Sequence, residues 1–178
     1  MTYKKRVIRA FNRGSERYDD FSEIQNMAGK FLLKELEKLG SIKNKNDIIE
    51  LGSGTGILTK MINDCYSFNC LKAIDISGDM IQISKQKLVD ERLVFVNKDF
   101  DFFEGYKKYN LILSNMSLHW SSNINQIIKK IIEQMSKDSI LCFTFPNQES
   151  FSEVKKIFGL SKFKNTLNKL PSHESIKK

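Results

Sequence analysis

The run Glu50-Leu51-Gly52-Ser53-Gly54-Thr55-Gly56 sets an acid and three glycines at alternate positions. Glycines so spaced let the backbone turn sharply and come close to a ligand, because a side chain at any of them would obstruct it. Two more acids follow at intervals that a doubly wound sheet would bring to the same edge: Asp75, 19 residues after Gly56, and Asp99. A dinucleotide fingerprint would need glycine at position 57, which is Ile57, and the Gly-Lys-Ser/Thr of a phosphate-binding loop is absent. Three carboxylates suit a ligand with a cation and an amino group better than one with a pyrophosphate. Asp75 stands where a carboxylate can accept both hydroxyls of an unphosphorylated ribose. S-adenosylmethionine, with its sulfonium, amine and ribose, answers that donor set. Taken singly, Asp75 and Asp99 read equally well as loop caps; only the ordered set favours a ligand.

Such acids must be carried by strands. The runs DIIEL (47–51), LKAIDI (71–76), RLVFV (92–96), YNLILSN (109–115) and SILCFTF (139–145) read as buried strands, separated by helical patterns. That alternation predicts a parallel sheet with right-handed crossovers, an α/β doubly wound fold. The clearest helix, NINQIIKKIIEQM, puts Ile124, Ile127, Ile128, Ile131 and Met135 on one face. Upstream, residues 23–39 read as an amphipathic helix with Ser22 as N-cap, an apolar stripe of Ile24, Met27, Phe31, Leu32, Leu36 and Leu39, and Gly40 as its stop. Residues 147–160 read as one more helix. The 178 residues are expected to form a single domain: front helices to 45, an α/β core over 46–150, and a basic tail from 151.

Composition narrows the rest. No apolar run approaches the roughly 20 residues of a membrane-spanning helix. Three cysteines and two histidines are too few and too scattered for a disulfide framework or a zinc site, so the expectation is no metal and a reducing cytoplasm. Lys4, Lys5, Arg6, Arg9 and Arg13 precede the first acid, a pattern that also resembles an organellar transit peptide, but no secretory apolar core follows. The net charge of +8 is uneven, with +5 in residues 1–45, −2 in 46–150 and +5 in 151–178. Basic flanks either serve solubility or meet an acidic partner, nucleic acid or protein.

With these motifs in order, residues 5 to 150 resemble class I S-adenosylmethionine-dependent methyltransferases, which have a Rossmann-like, mostly parallel sheet. The resemblance implies that Glu50, Gly52, Ser53, Gly54 and Gly56 cradle the methionine end of the cofactor and that Asp75 holds the ribose. It puts Ile76 and Met80 beside the adenine, Asp99 on its amine and Phe100 over its ring. SNMSLHW (114–120) matches the segment that faces the methyl group, which makes Asn115 a cofactor and catalytic candidate and His119 a possible base. The opening AFNRGSERYDDFSEIQ (10–25), SNMSLHW and FTFPNQESFSEV further resemble the malonyl-acyl-carrier-protein O-methyltransferases of the biotin pathway. That likeness implies a lid in which Tyr18 points into the site and Gln25 borders it. Tyr18 also reads as an aromatic packed on the sheet edge, Trp120 as a wall, and His119 as the start of a helical turn.

The implied activity is methylation of the free carboxylate of a malonyl thioester, on an acidic acyl carrier protein or on malonyl-CoA, by a monomer. Other small-molecule or RNA methylation, or a non-catalytic assembly protein that binds the cofactor, stays open. Nucleic acid is the less favoured partner because SNMSLHW lacks an aromatic-proline motif. One departure stands out: LSKFKNTLNKLPSHESIKK shows no counterpart of the family's further strand pair after the fifth strand.

Overall fold

The five apolar runs, rich in isoleucine and leucine, all form strands in the computed structural model, which describes residues 1–40, 46–147 and 150. They are β1 Asn46–Leu51, β2 Phe68–Asp75, β3 Leu93–Asn97, β4 Leu111–Asn115 and β5 Ile140–Thr144. All pair in parallel, in the order β3-β2-β1-β4-β5. The chain winds outward from β1 to β3, then returns to lay β4 on the other side of β1. Loops leaving β1 and β4 therefore diverge, and a crevice opens at the carboxyl ends of the strands.

Helices cover both faces: α1 Tyr3–Gly14, α2 Glu23–Lys38, α3 Ile57–Cys65, α4 Gly78–Lys87 and α5 Ile124–Gln134. Side chains alternate across the sheet, so neighbours on one strand enter different cores. Ile48 packs with Leu71, Leu111, Leu113 and the leucines of α2 and α3. Ile49 packs on the opposite side with Leu51, Ile74, Ile112, the Ile127 and Ile131 of α5, and the aromatics Phe100, Phe103, Tyr106 and Tyr109. Burial on both faces accounts for strands that read as nearly unbroken apolar runs.

The apolar stripe expected on α2 needs correction. Leu32 and Leu36 are buried, together with Gly29 and Leu33, but Ile24, Met27, Phe31 and Leu39 are exposed. The helix carries two apolar stripes, and the one with leucines at 32, 33 and 36 meets the sheet. Gly29 settles the choice, because its face lies close to α3 and β4: a Cβ there would come within 3.2 Å of Met61 Sδ and 3.3 Å of Asn115 Nδ2. Ser22 does precede α2, but its hydroxyl donates to Asp19 O and accepts from Asn26 Nδ2 rather than capping the helix. The expected helix over 147–160 and the question of a further strand pair fall outside the described residues.

Candidate active site

The crevice is a cavity enclosing about 690 Å³, its mouth included. Its floor is the glycine loop between β1 and α3. Gly52 has φ +72°, and a Cβ there would lie 1.7 Å from Ser117 Oγ, so this loop and the loop after β4 pack backbone against side chain with no room for more. Gly54, at φ +56°, has open space beside it instead, and its N–H donates to Asp75 Oδ2 at 2.8 Å. Asp75 Oδ1 accepts from the Ser77 N–H at 2.8 Å. Asp75 thus fastens two loops and lines the cavity at once, combining the capping role with the ligand position. Burial pushes its carboxyl up, against the pull of the Ser77 and Gly54 amides.

Glu50, at the end of β1, is 1 % exposed, and Thr59 Oγ donates to its Oε2. Burial raises its pKa to about 8; the Thr59 bond lowers it and nearby Asp75 adds to the rise. Asp99 follows β3 and accepts at Oδ1 from the Asp101 N–H and from Lys4 Nζ, both at 3.0 Å. Asn115 ends β4 with both polar atoms committed: Nδ2 donates to Gln25 O at 2.8 Å, and Oδ1 accepts from Thr144 Oγ1 at 2.7 Å. Met116 beside it holds φ 52°, a left-handed strain that a non-glycine residue sustains only where neighbours enforce it. Its N–H is held by Thr144 O at 3.0 Å.

Residues 1–25 roof the cavity. Val7, Phe11, Tyr18 and Gln25 line it from above, and Phe11 meets Trp120 edge-on at 5.4 Å. Polar ties hold the roof to each of the four loops. Lys4 reaches Asp99 and Asp101 after β3, and Ser77 Oγ after β2 donates to Asn12 Oδ1 at 2.6 Å. Asp19 takes Thr55 of the glycine loop and pairs with Lys87, and Gln25 O takes Asn115. The Tyr18 hydroxyl is pushed up by burial and pulled back by a hydrogen bond with the Gln25 side chain, with Asp75 and Asp19 adding to the rise.

Of the residues singled out from sequence, the structure brings Tyr18, Gln25, Glu50, Gly52, Ser53, Gly54, Asp75, Ile76, Asp99, Phe100 and Asn115 into this lining. Gly56, Met80 and His119 lie outside it. Met80 is 1 % exposed at the start of α4, where its N–H caps onto Ser77 Oγ. His119 stacks on Trp120 at 4.8 Å, and burial drives its pKa down to about 4, so it is neutral near pH 7. Lys4, Val7, Ile57, Leu58, Met116 and Ser117 also line it; Lys4, Val7 and Leu58 carried no signal in the sequence beyond charge or hydropathy, whereas Met116 and Ser117 fall within the SNMSLHW segment. Among the described residues no cluster of acids, histidines and cysteines could hold a metal ion, and no helix is long and apolar enough to cross a membrane.

Two buried polar atoms in the lining, Gln25 Oε1 and Ser53 Oγ, have no hydrogen-bond partner among the described residues. A buried acceptor and hydroxyl left unmet cost about 1–3 kcal/mol each, which marks a place for a polar ligand. With the carboxyls of Glu50, Asp75 and Asp99, they match the amine and hydroxyl donors of an adenosyl amino acid.

Comparison with known proteins agrees. A family model described as "Methyltransferase domain" matches residues 23–178. The malonyl-[acyl-carrier protein] O-methyltransferase of Bacillus anthracis is 28% identical over 162 residues, which cover 91% of this chain and 60% of that protein. Malonyl-[acyl-carrier protein] O-methyltransferase 1 of Ilyobacter polytropus is 33% identical over 155 residues, 86% of this chain and 56% of the relative. The chain thus spans little more than half the length of these curated relatives. Among solved structures, a DhpI–SAH complex shares the fold with a TM-score of 0.67 at 18% identity, over 82% of this chain and 70% of that one.

Proposed function

The chain belongs to the methyltransferase-domain family, and from that premise we propose that it is an S-adenosylmethionine-dependent O-methyltransferase acting on the free carboxylate of a malonyl thioester. The observation that carries this reading is one roofed cavity that gathers the carboxyls of Glu50, Asp75 and Asp99 around the glycine loop, together with Gln25 Oε1, which has no partner among the described residues. Glu50 would take the ammonium, Asp75 the ribose hydroxyls, and Asp99 with Phe100 the adenine. When bound, S-adenosylmethionine supplies a methyl group on a sulfonium sulfur.

The chain's own residues then orient and exclude. Phe11, Tyr18 and Trp120 keep water from the reacting charges, which are stronger partners in a dry site. Fixed geometry can supply about 7–11 kcal/mol of a bimolecular barrier. An acceptor carboxyl titrates near ~4 and is already ionised at neutral pH, so no general base is needed. Asn115 acts here as a positioning group that ties the roof to β4, and Tyr18 lines the cavity from the roof with Gln25. His119, neutral and outside the lining, supports Trp120 instead of moving a proton.

The names of the relatives support a carrier-bound malonyl group as acceptor, which would place the reaction in biotin precursor synthesis. Charge supports it too: α1 turns Arg6, Arg9 and Arg13 outward around an open hollow, a surface that would steer an acidic carrier. Incubation of methyl-labelled donor with malonyl-acyl carrier protein, malonyl-CoA and RNA tests the assignment. A base-labile methyl ester on a malonyl substrate is expected. Label in RNA alone would move the function to nucleic acid, and binding without transfer to any acceptor would leave a cofactor-binding protein.

A further inference from the structure

Lys4 is placed unlike Lys5, the other lysine of α1, which is exposed. Its Nζ lies 3.0 Å from Asp99 Oδ1 and 2.9 Å from Asp101 Oδ2, and 5.0 Å above the centre of the Phe100 ring. The lysine side chain is 19% exposed and the two carboxylates 13% and 12%. Ammonium groups stay in water unless something specific holds them, and here two acids and an aromatic face do.

The division of labour on Asp99 is informative. Its Oδ1 takes both hydrogen bonds that the carboxylate accepts among the described residues, from Lys4 Nζ and from the Asp101 N–H. Oδ2 is left as the free acceptor of a residue that lines the cavity. Asp101 is outside the lining and is itself anchored, with Ser121 Oγ donating at 2.6 Å and the Ser122 N–H at 2.9 Å. Burial opposes its ionisation, but the bonds from Ser121, Ser122 and Lys4 outweigh that and hold the carboxyl below its ordinary value. Lys4 therefore joins a cavity acid to a fixed acid tied to Ser121 and Ser122, and sits between two negative charges that would otherwise repel.

Resting on the reading that Asp99 and Phe100 hold the adenine, we propose that Lys4 is a positioning residue for base selection. It fixes Asp99 so that one oxygen points to a 6-amino group, and it pins α1 over the base. An ionised acceptor held rigidly accepts from an amino group and rejects a 6-oxo group, whose lone pairs would face it. The discrimination depends on Asp99 being unable to turn away.

The test compares S-adenosylhomocysteine with its 6-oxo counterpart S-inosylhomocysteine, titrated into wild type, Lys4→Met, Lys4→Arg and Asp101→Asn. Wild type should prefer the 6-amino ligand by about a hundredfold or more, as sites built around a ligand donor do. Lys4→Met should lose about tenfold in affinity for S-adenosylhomocysteine, within the value of a hydrogen bond to a charged group. It should also narrow the 6-amino preference, which Lys4→Arg should restore. Asp101→Asn, which leaves Lys4 in place, should narrow the preference as well, and the double variant should add little. Near-ultraviolet circular dichroism checks that each variant folds. An unchanged ratio between the two ligands in folded Lys4→Met and Asp101→Asn would overturn the inference, whatever the absolute affinity. Failure of wild type to bind S-adenosylhomocysteine would instead remove the adenine reading on which it rests.

Discussion

Replacing Glu50 with glutamine should affect stability and ligand binding in opposite directions. The carboxyl is 1 % exposed, and its pKa of about 8 in the folded protein lies above its ordinary 4.5 because burial penalises the charge. With the folded value raised, the associated stability is full below the ordinary value and is lost as pH rises through about 8. Unliganded wild type should weaken over that window, while Glu50→Gln has no charge to bury. At about pH 8 the variant should be the more stable, on the order of several kcal/mol, as the gap between the two pKa values sets by linkage. Binding should run the other way, because the proposed contact of Glu50 with the ammonium of S-adenosylhomocysteine needs the carboxyl ionised. With a pKa of about 8, Glu50 is mostly protonated at pH 7, and ionising it opposes binding. Affinity should therefore climb about tenfold from pH 6 to pH 7, releasing close to one proton, and level off above about pH 8. Asp75, also pushed up by burial, adds to the same trend. Calorimetry in phosphate and in Tris counts the protons, and thermal unfolding without ligand gives the stability. Glu50→Gln should bind about 1.5–3 kcal/mol more weakly and lose most of the slope. A variant that binds like wild type with the slope intact, or that is the less stable at pH 8, would refute the reasoning.

Other outcomes follow from the same geometry. Asp75→Ala should weaken S-adenosylhomocysteine binding by about 1.5–3 kcal/mol and lower the melting temperature too, since the carboxylate also holds Gly54 and Ser77; an affinity loss without a stability loss would contradict its double role. Leu36→Ala, at a fully buried position, should cost about 2–5 kcal/mol in denaturant unfolding, whereas Phe31→Ala on the exposed face should stay within about 0.5 kcal/mol; the reverse order would mean α2 is turned. Hydrogen exchange over residues 10–25 should be slow at the ties to Ser77 and Thr55 and slower still with S-adenosylhomocysteine. Fast exchange in both states would show that the roof does not close in solution.

The sheet was legible because short apolar runs of strand length, separated by helical patterns, leave little choice of fold. The glycine loop and its acids were legible because backbone approach demands glycine and the strand ends fix where Asp75 and Asp99 emerge. The facing of α2 was not, since Ile24, Met27 and Phe31 keep helical spacing as well as Leu32 and Leu36 do. What decided it was the absence of a side chain at Gly29, read only against Met61 and Asn115. Lys4 was legible only as one positive charge in a basic leader, because its partners lie 95 and 97 residues further on and meet it through the winding of the sheet. His119 offered a base by type, but type alone does not show that it lies outside the cavity lining, buried against Trp120, where burial drives its pKa down.

The central claim is that the roofed cavity over the glycine loop is the methyl-donor site. A calorimetric competition between S-adenosylhomocysteine and NAD tests it most directly, run on wild type and on Gly54→Val, whose side chain would enter the open space beside Gly54. The expected result is micromolar binding of S-adenosylhomocysteine, far weaker binding of NAD, and no measurable binding to a folded Gly54→Val. Equal or preferred binding of NAD, or undiminished S-adenosylhomocysteine binding by Gly54→Val, would contradict it.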